Sequence, residues 1–109
     1  MIVRFTADAS QEIFDITRHY AALNRDIGCR FIDRMDEVLA ALSIYPAMGL
    51  PITKVFRRVL LRQFPYAVYY RIDSASGSIW IETVIHQRRQ ADYWRNRVQE
   101  APALYAVAA

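Results

Sequence analysis

Arg58, Arg62, Arg71, Glu82 and His86 all fall within residues 57–89, RRVLLRQFPYAVYYRIDSASGSIWIETVIHQRR. As side-chain types they suit metal-free cleavage of a phosphodiester. That chemistry needs a base for the attacking hydroxyl, an acid for the leaving oxygen and cations for the charge that builds on phosphorus. Glu82 is the natural base, His86 the natural acid and the arginines the cations. Their spacing argues against the pairing, because four residues along one strand separate two groups by ~13 Å, too far to serve one phosphate. A single histidine at a strand end more often holds structure than moves protons. The same surface also suits binding: guanidinium groups pair bidentately with anions, and Tyr69 and Trp80 beside them offer faces for stacking.

The elements that must position these residues are three strands, near 56–63, 66–73 and 78–86, separated by turn signals at Pro65 and at Ser74–Gly77. Alternation assigns their side chains to faces. With residue 63 opposite 66 and 73 opposite 78, one face carries Arg58, Leu60, Arg62, Tyr69, Arg71, Trp80, Glu82, Val84 and His86. The other collects Val59, Leu61, Val68, Tyr70, Ile72, Ile79, Ile81 and Ile85, an apolar set that helices must cover. Those helices precede the strands. MIVRF at 1–5 reads as a short strand, and Thr6 or Asp8 offers an N-cap. Ala9, Ile13, Ile16, Tyr20 and Leu23 then form a helical stripe. Residues 24–28 break it, with Asp26 the expected second cap. Phe31, Met35, Val38 and Leu42, widened by Ile32 and Leu39, repeat the spacing. Pro46, Gly49 and Pro51 mark a loop. The expected fold is therefore α+β: an N-terminal strand, an antiparallel helix hairpin and a three-stranded antiparallel meander with the helices packed on one face. A short C-terminal helical segment, QRRQADYWRNRVQE at 87–100, stops at Pro102. Residues 1–100 make one domain and 101–109 a frayed tail.

Composition narrows the function classes. A chain of 109 residues with 54% apolar content can bury one sizeable core. Its single cysteine, Cys29, excludes an internal disulfide framework and reads as a small buried side chain on the second helix. Two histidines, His19 and His86, give no credible metal site, and no glycine-rich phosphate loop suggests a cofactor. No signal peptide opens the chain and no apolar run reaches membrane-spanning length, so a cytoplasmic, membrane-free setting is the default. Charge is uneven. Residues 1–53 hold five Arg against seven acids, a balance of −2, whereas 54–99 hold nine cations against three acids, a balance of +6. The second half should meet an anionic partner.

The order strand, two helices, meander resembles the RelE/ParE superfamily of type II toxin–antitoxin toxins. So do RFTADA at 4–9, YPAMGLP at 45–51, QFPYAVYYRID at 63–73 and IETVIHQRR at 81–89. The likeness spans about residues 2–94, and its wording is closer to the ParE, plasmid-stabilisation branch. The resemblance implies a cognate antitoxin that neutralises the toxin, and DNA contacted only indirectly through that complex. It implies DNA gyrase as a target inhibited by binding, or, for a RelE-like member, the ribosome and its mRNA as a target that is cut. Under the binding alternative there are no catalytic residues, and Arg58, Arg62, Tyr69, Arg71, Trp80, Glu82, Arg88 and Arg89 make partner contacts. Under the endoribonuclease alternative Arg62, Arg71 and His86 are the catalytic candidates. Tyr93 and Trp94 would pack the last segment onto the domain, with Trp94 and Arg97 available to antitoxin or target.

Overall fold

Thr6 has extended backbone, and its hydroxyl accepts from the Ala9 amide at 3.1 Å, which starts the first helix, α1 (Ala7–Leu23). In the computed structural model, which describes residues 1–89, α1 follows a short strand, β1 (Ile2–Phe5). One residue then turns the chain. Asn24 ends α1 through its backbone N–H to Tyr20 and caps α2 (Arg25–Ile44) by accepting from the Asp26 amide at 2.8 Å. The expected break over 24–28 is thus confined to Asn24, with Asn24 rather than Asp26 as the cap. Gly28 lies inside α2, where a Cβ would come within 2.9 Å of the Ala21 Cβ. The hairpin needs that glycine for its close helix crossing.

Five strands form one mixed sheet in the order β1-β5-β4-β3-β2. β2 (Leu50–Pro51) is a two-residue edge, followed by β3 (Phe56–Leu60), β4 (Tyr66–Asp73) and β5 (Ser78–His86). The expected meander is the antiparallel centre of this sheet, extended by β2 on one side and by β1, parallel to β5, on the other. The expected C-terminal helical segment and tail, with Tyr93, Trp94 and Arg97, lie outside the described residues. β3 ends at Leu60, not 63. A five-residue connection at 61–65, with Gln63 in the left-handed region at φ 70°, displaces its pairing by two residues, to Leu60 opposite Ala67. A two-residue displacement keeps every side chain on its expected face.

The helices cover one face. Ala9, Phe31, Met35, Val38 and Leu42 pack on Leu61, Phe64, Val68, Tyr70, Ile79 and Ile81, with Ile13, Ile16 and Tyr20 at the margin. Tyr20, Phe31, Phe64 and Tyr66 form an aromatic cluster with ring centroids 5.0–6.3 Å apart. Leu23 and Ile32, expected inside, are exposed, as is Cys29 on the outer side of α2.

Tyr70 ties the loop before β2 to this core. Its hydroxyl donates to the Pro46 carbonyl at 2.7 Å and accepts from the Gly49 amide at 2.9 Å, so closely that a Cβ on residue 49 would sit 2.6 Å from the oxygen. Tyr70→Phe is expected to lower unfolding free energy by about 2 kcal/mol, because both groups lose their partner. Burial raises the phenol pKa above its ordinary 10.0, against smaller lowering effects of the Gly49 amide and Arg57. A raised folded pKa means stability is complete below pH 10 and falls as pH climbs through the folded value. Urea melts at rising alkaline pH should show this loss, less steeply in Tyr70→Phe. An identical slope in both proteins would remove Tyr70 as the cause.

Candidate partner-binding face

β5 contains the detail that decides which residues can act together. Tyr70 pairs with Ile81, but Tyr69 pairs with Thr83, so one residue of β5 is extra at this point: a β-bulge. Alternation therefore changes phase after Ile81. Val84 lies on the helix side with Val68, and Ile85 lies on the far side with Ala67 and Tyr69. Both placements reverse the expectation from unbroken alternation.

The start of α1 holds the bulge. The Thr6 amide donates to the Ile81 carbonyl at 3.1 Å and the Thr6 hydroxyl to the Glu82 carbonyl at 3.0 Å. One turn on, the Glu12 carboxylate accepts from the Thr83 hydroxyl at 2.8 Å and from the Val84 amide at 3.2 Å. From the sequence Glu12 is an acid in the first turns of α1, where the helix dipole favours one, and nothing local to it signals these contacts with β5.

His86 consequently stands on the helix side. It packs edge-on against Tyr66 at 5.4 Å between centroids, its Nδ1 accepts from the Arg88 amide at 3.1 Å, and it lines a cleft of about 270 Å³ with Glu12, Ile16 and Arg89. Arg62, beyond the end of β3, pairs with Glu37 of α2 at 3.0 Å. Neither shares the far face with Arg71, so the expected grouping of Arg62, Arg71 and His86 on one surface is corrected. Arg88 and Arg89 follow β5 and are exposed.

On the far face, register places side chains in rows. One row runs Arg4 on β1, Trp80 on β5, Arg71 on β4 and Phe56 on β3. Arg71 Nε donates to Glu82 Oε1 at 2.8 Å while its guanidinium lies 5.5 Å over the Trp80 ring. Glu82 is only 3% exposed, and Tyr69, opposite Arg58, only 2%. These two were expected at the surface; they lie beneath it and hold the arginines. Burial raises the Tyr69 pKa, partly offset by a hydrogen bond with Arg58. Phe56, Ala67, Tyr69 and Ile85, with Ile52 and Val55 beside them, make a second small core here. What remains accessible is a cationic and aromatic rim of Arg58, Arg71 and Trp80, extended by Arg4. Sequence alternation in MIVRF held the signal for Arg4, but only once β1 is known to lie beside β5.

Comparison with known families adds a match over residues 3–91 to the ParE toxin of type II toxin–antitoxin systems, parDE. The chain belongs to that family. Its structure is similar to one described as a chromosomal ParDE toxin–antitoxin system from P. aeruginosa. The TM-score is 0.66 at 18% identity, with 79% of this chain and 95% of that one covered. Comparison with the curated proteins finds no match. Membership implies a cognate antitoxin as partner. Among the described residues no helix is long and apolar enough to cross a membrane.

Proposed function

We propose that this ParE-family toxin arrests growth by binding DNA gyrase in the cytoplasm, without covalent chemistry, and that its antitoxin neutralises it by covering its surface. The observation that favours binding over RNA cleavage is the separation of the acid–base candidates. Glu82 is buried in an ion pair with Arg71, and His86 stands on the opposite side of the sheet with Nδ1 already engaged. Groups so placed do not converge on one phosphate. Exposed apolar side chains support the reading of a covering partner. Phe14, Leu23, Ile44 and Tyr45, on and just after the helices, each leave more than half of their area in solvent, exposure that a covering partner would remove.

The test is induced expression of the chain alone. Growth arrest with DNA breaks and intact transcripts is expected, together with inhibition of supercoiling by purified gyrase. His86→Gln should arrest growth as the parent does. Codon-spaced transcript cleavage with intact DNA, abolished in His86→Gln, would replace this proposal with the ribosome-dependent endoribonuclease.

A further inference from the structure

We infer that the row Arg4–Trp80–Arg71 is the surface by which the toxin grips an acidic segment of its target, one in which two carboxylates flank an apolar residue. The inference rests on the proposal that the chain acts by binding. Arg4 and Arg71 occupy the strands on either side of Trp80 and are its register partners. At ~4.8 Å between neighbouring strands, their backbones stand about 10 Å apart with the indole between them. Arg4 is exposed, and its Nε donates to Ser78 Oγ at 3.1 Å, which fixes the side chain on the Trp80 face. Glu82 takes the Nε of Arg71, and among the described residues its terminal nitrogens donate to no other group. Asp73 shares this face, but its carboxylate accepts from Ser76 in the turn, and that hydrogen bond is the first cause of its lowered pKa, ahead of a smaller effect of the Arg71 charge.

An extended acidic strand laid across the row projects alternate side chains on one side about 7 Å apart. Carboxylates on either side of an apolar residue then start about 14 Å apart and lean inward to guanidinium groups whose backbones stand about 10 Å apart. Two carboxylates would meet the guanidinium groups, and an apolar residue would lie on the indole with exposed Ile2 beside it. The occupant is the target and not the antitoxin because the apolar surface that a neutralising partner must cover includes Phe14, Leu23, Ile32 and Ile44 on the helices. The helices pack against the other side of the sheet. The row is cationic and small, suited to recognition.

The test compares Arg4→Glu and Trp80→Leu with Arg18→Glu, a charge reversal on exposed α1, each checked for folding by thermal melting and by co-purification with the antitoxin. Growth arrest is read on expression alone, and binding to fluorescent poly-L-glutamate and to a dT oligonucleotide on the purified proteins. Arg4→Glu and Trp80→Leu should both lose arrest, and Arg4→Glu, which removes a carboxylate contact, should bind polyglutamate about 30-fold more weakly, the scale of an interface hot spot. Arg18→Glu should keep both. Folded row variants that arrest growth and bind polyglutamate like the parent would overturn the inference. So would row-dependent binding of the oligonucleotide in place of polyglutamate. Arrest with gyrase uninhibited would sink the gyrase proposal alone, leaving the row to stand or fall on polyglutamate binding.

Discussion

Replacing Arg71 with methionine is expected to remove about 3 kcal/mol of folding free energy, seen as a lower urea midpoint at unchanged slope. Glu82 is the reason. Its side chain is 4% exposed and its carboxylate sits 2.8 Å from the Arg71 guanidinium. Deleting the cation takes away the guanidinium that is paired with a buried carboxylate. A smaller loss comes from the contact of the guanidinium with the Trp80 face. The second substitution separates these contributions. Arg71→Met with Glu82→Met replaces a buried ion pair by apolar side chains of similar size, a change that is often neutral or better. The double variant should therefore recover most of the stability lost by the single one, a coupling that a mutant cycle measures directly. A single variant as stable as the parent would mean that the Arg71–Glu82 pair contributes nothing to the stability of the fold.

Most of this architecture was legible because it follows from periodicity. The stripes Ile13–Ile16–Tyr20 and Phe31–Met35–Val38–Leu42 name the buried sides of α1 and α2, and the alternation of Val68, Tyr70 and Ile72 names the core face of β4. The two-residue shift between β3 and β4 did no harm, since alternation repeats every two residues. The bulge in β5 was different. IWIETVIH can be read as one unbroken strand, with Ile79, Ile81 and Ile85 on one face, and nothing in those letters fixes where a residue is extra. What selects the bulge lies some seventy residues away, in Thr6 and Glu12, whose side chains take up its carbonyl, hydroxyl and amide groups. A long-range hydrogen-bond pattern of this kind has no local signature, and so unbroken alternation puts His86 and Val84 on the wrong face.

The motifs that carried the family resemblance gain a physical meaning from the same contacts. Thr6 of RFTADA caps α1 and anchors β5 at IETV. Gly49 of YPAMGLP meets the Tyr70 hydroxyl of QFPYAVYYRID, whose Phe64 and Tyr66 complete the aromatic cluster. These residues mark joints between elements. They identify the fold well for that reason, and they say little about the target, which the accessible rim must decide.

Glu12→Ala is expected to cost about 3 kcal/mol, because a carboxylate that serves two buried donors contributes more than a neutral acceptor and its loss leaves both unsatisfied. Thr83 is fully buried and Val84 is 1% exposed, so both donors depend on the carboxylate for a partner. Glu12→Gln keeps an acceptor oxygen in place and should cost only about 1 kcal/mol. The local readout is hydrogen exchange. The Val84 amide should exchange faster in Glu12→Ala than the global loss of stability accounts for, since its bond to Glu12 is what closes the bulge. The same change should disturb the stacking of His86 on Tyr66, visible as a shift of the His86 ring protons, because the phase of β5 beyond Ile81 depends on that bulge. Unchanged Val84 protection relative to the rest of β5 would mean that the strand holds its bulge without help from α1. The exchange pattern therefore tests whether a helix or the strand itself determines which face His86 occupies.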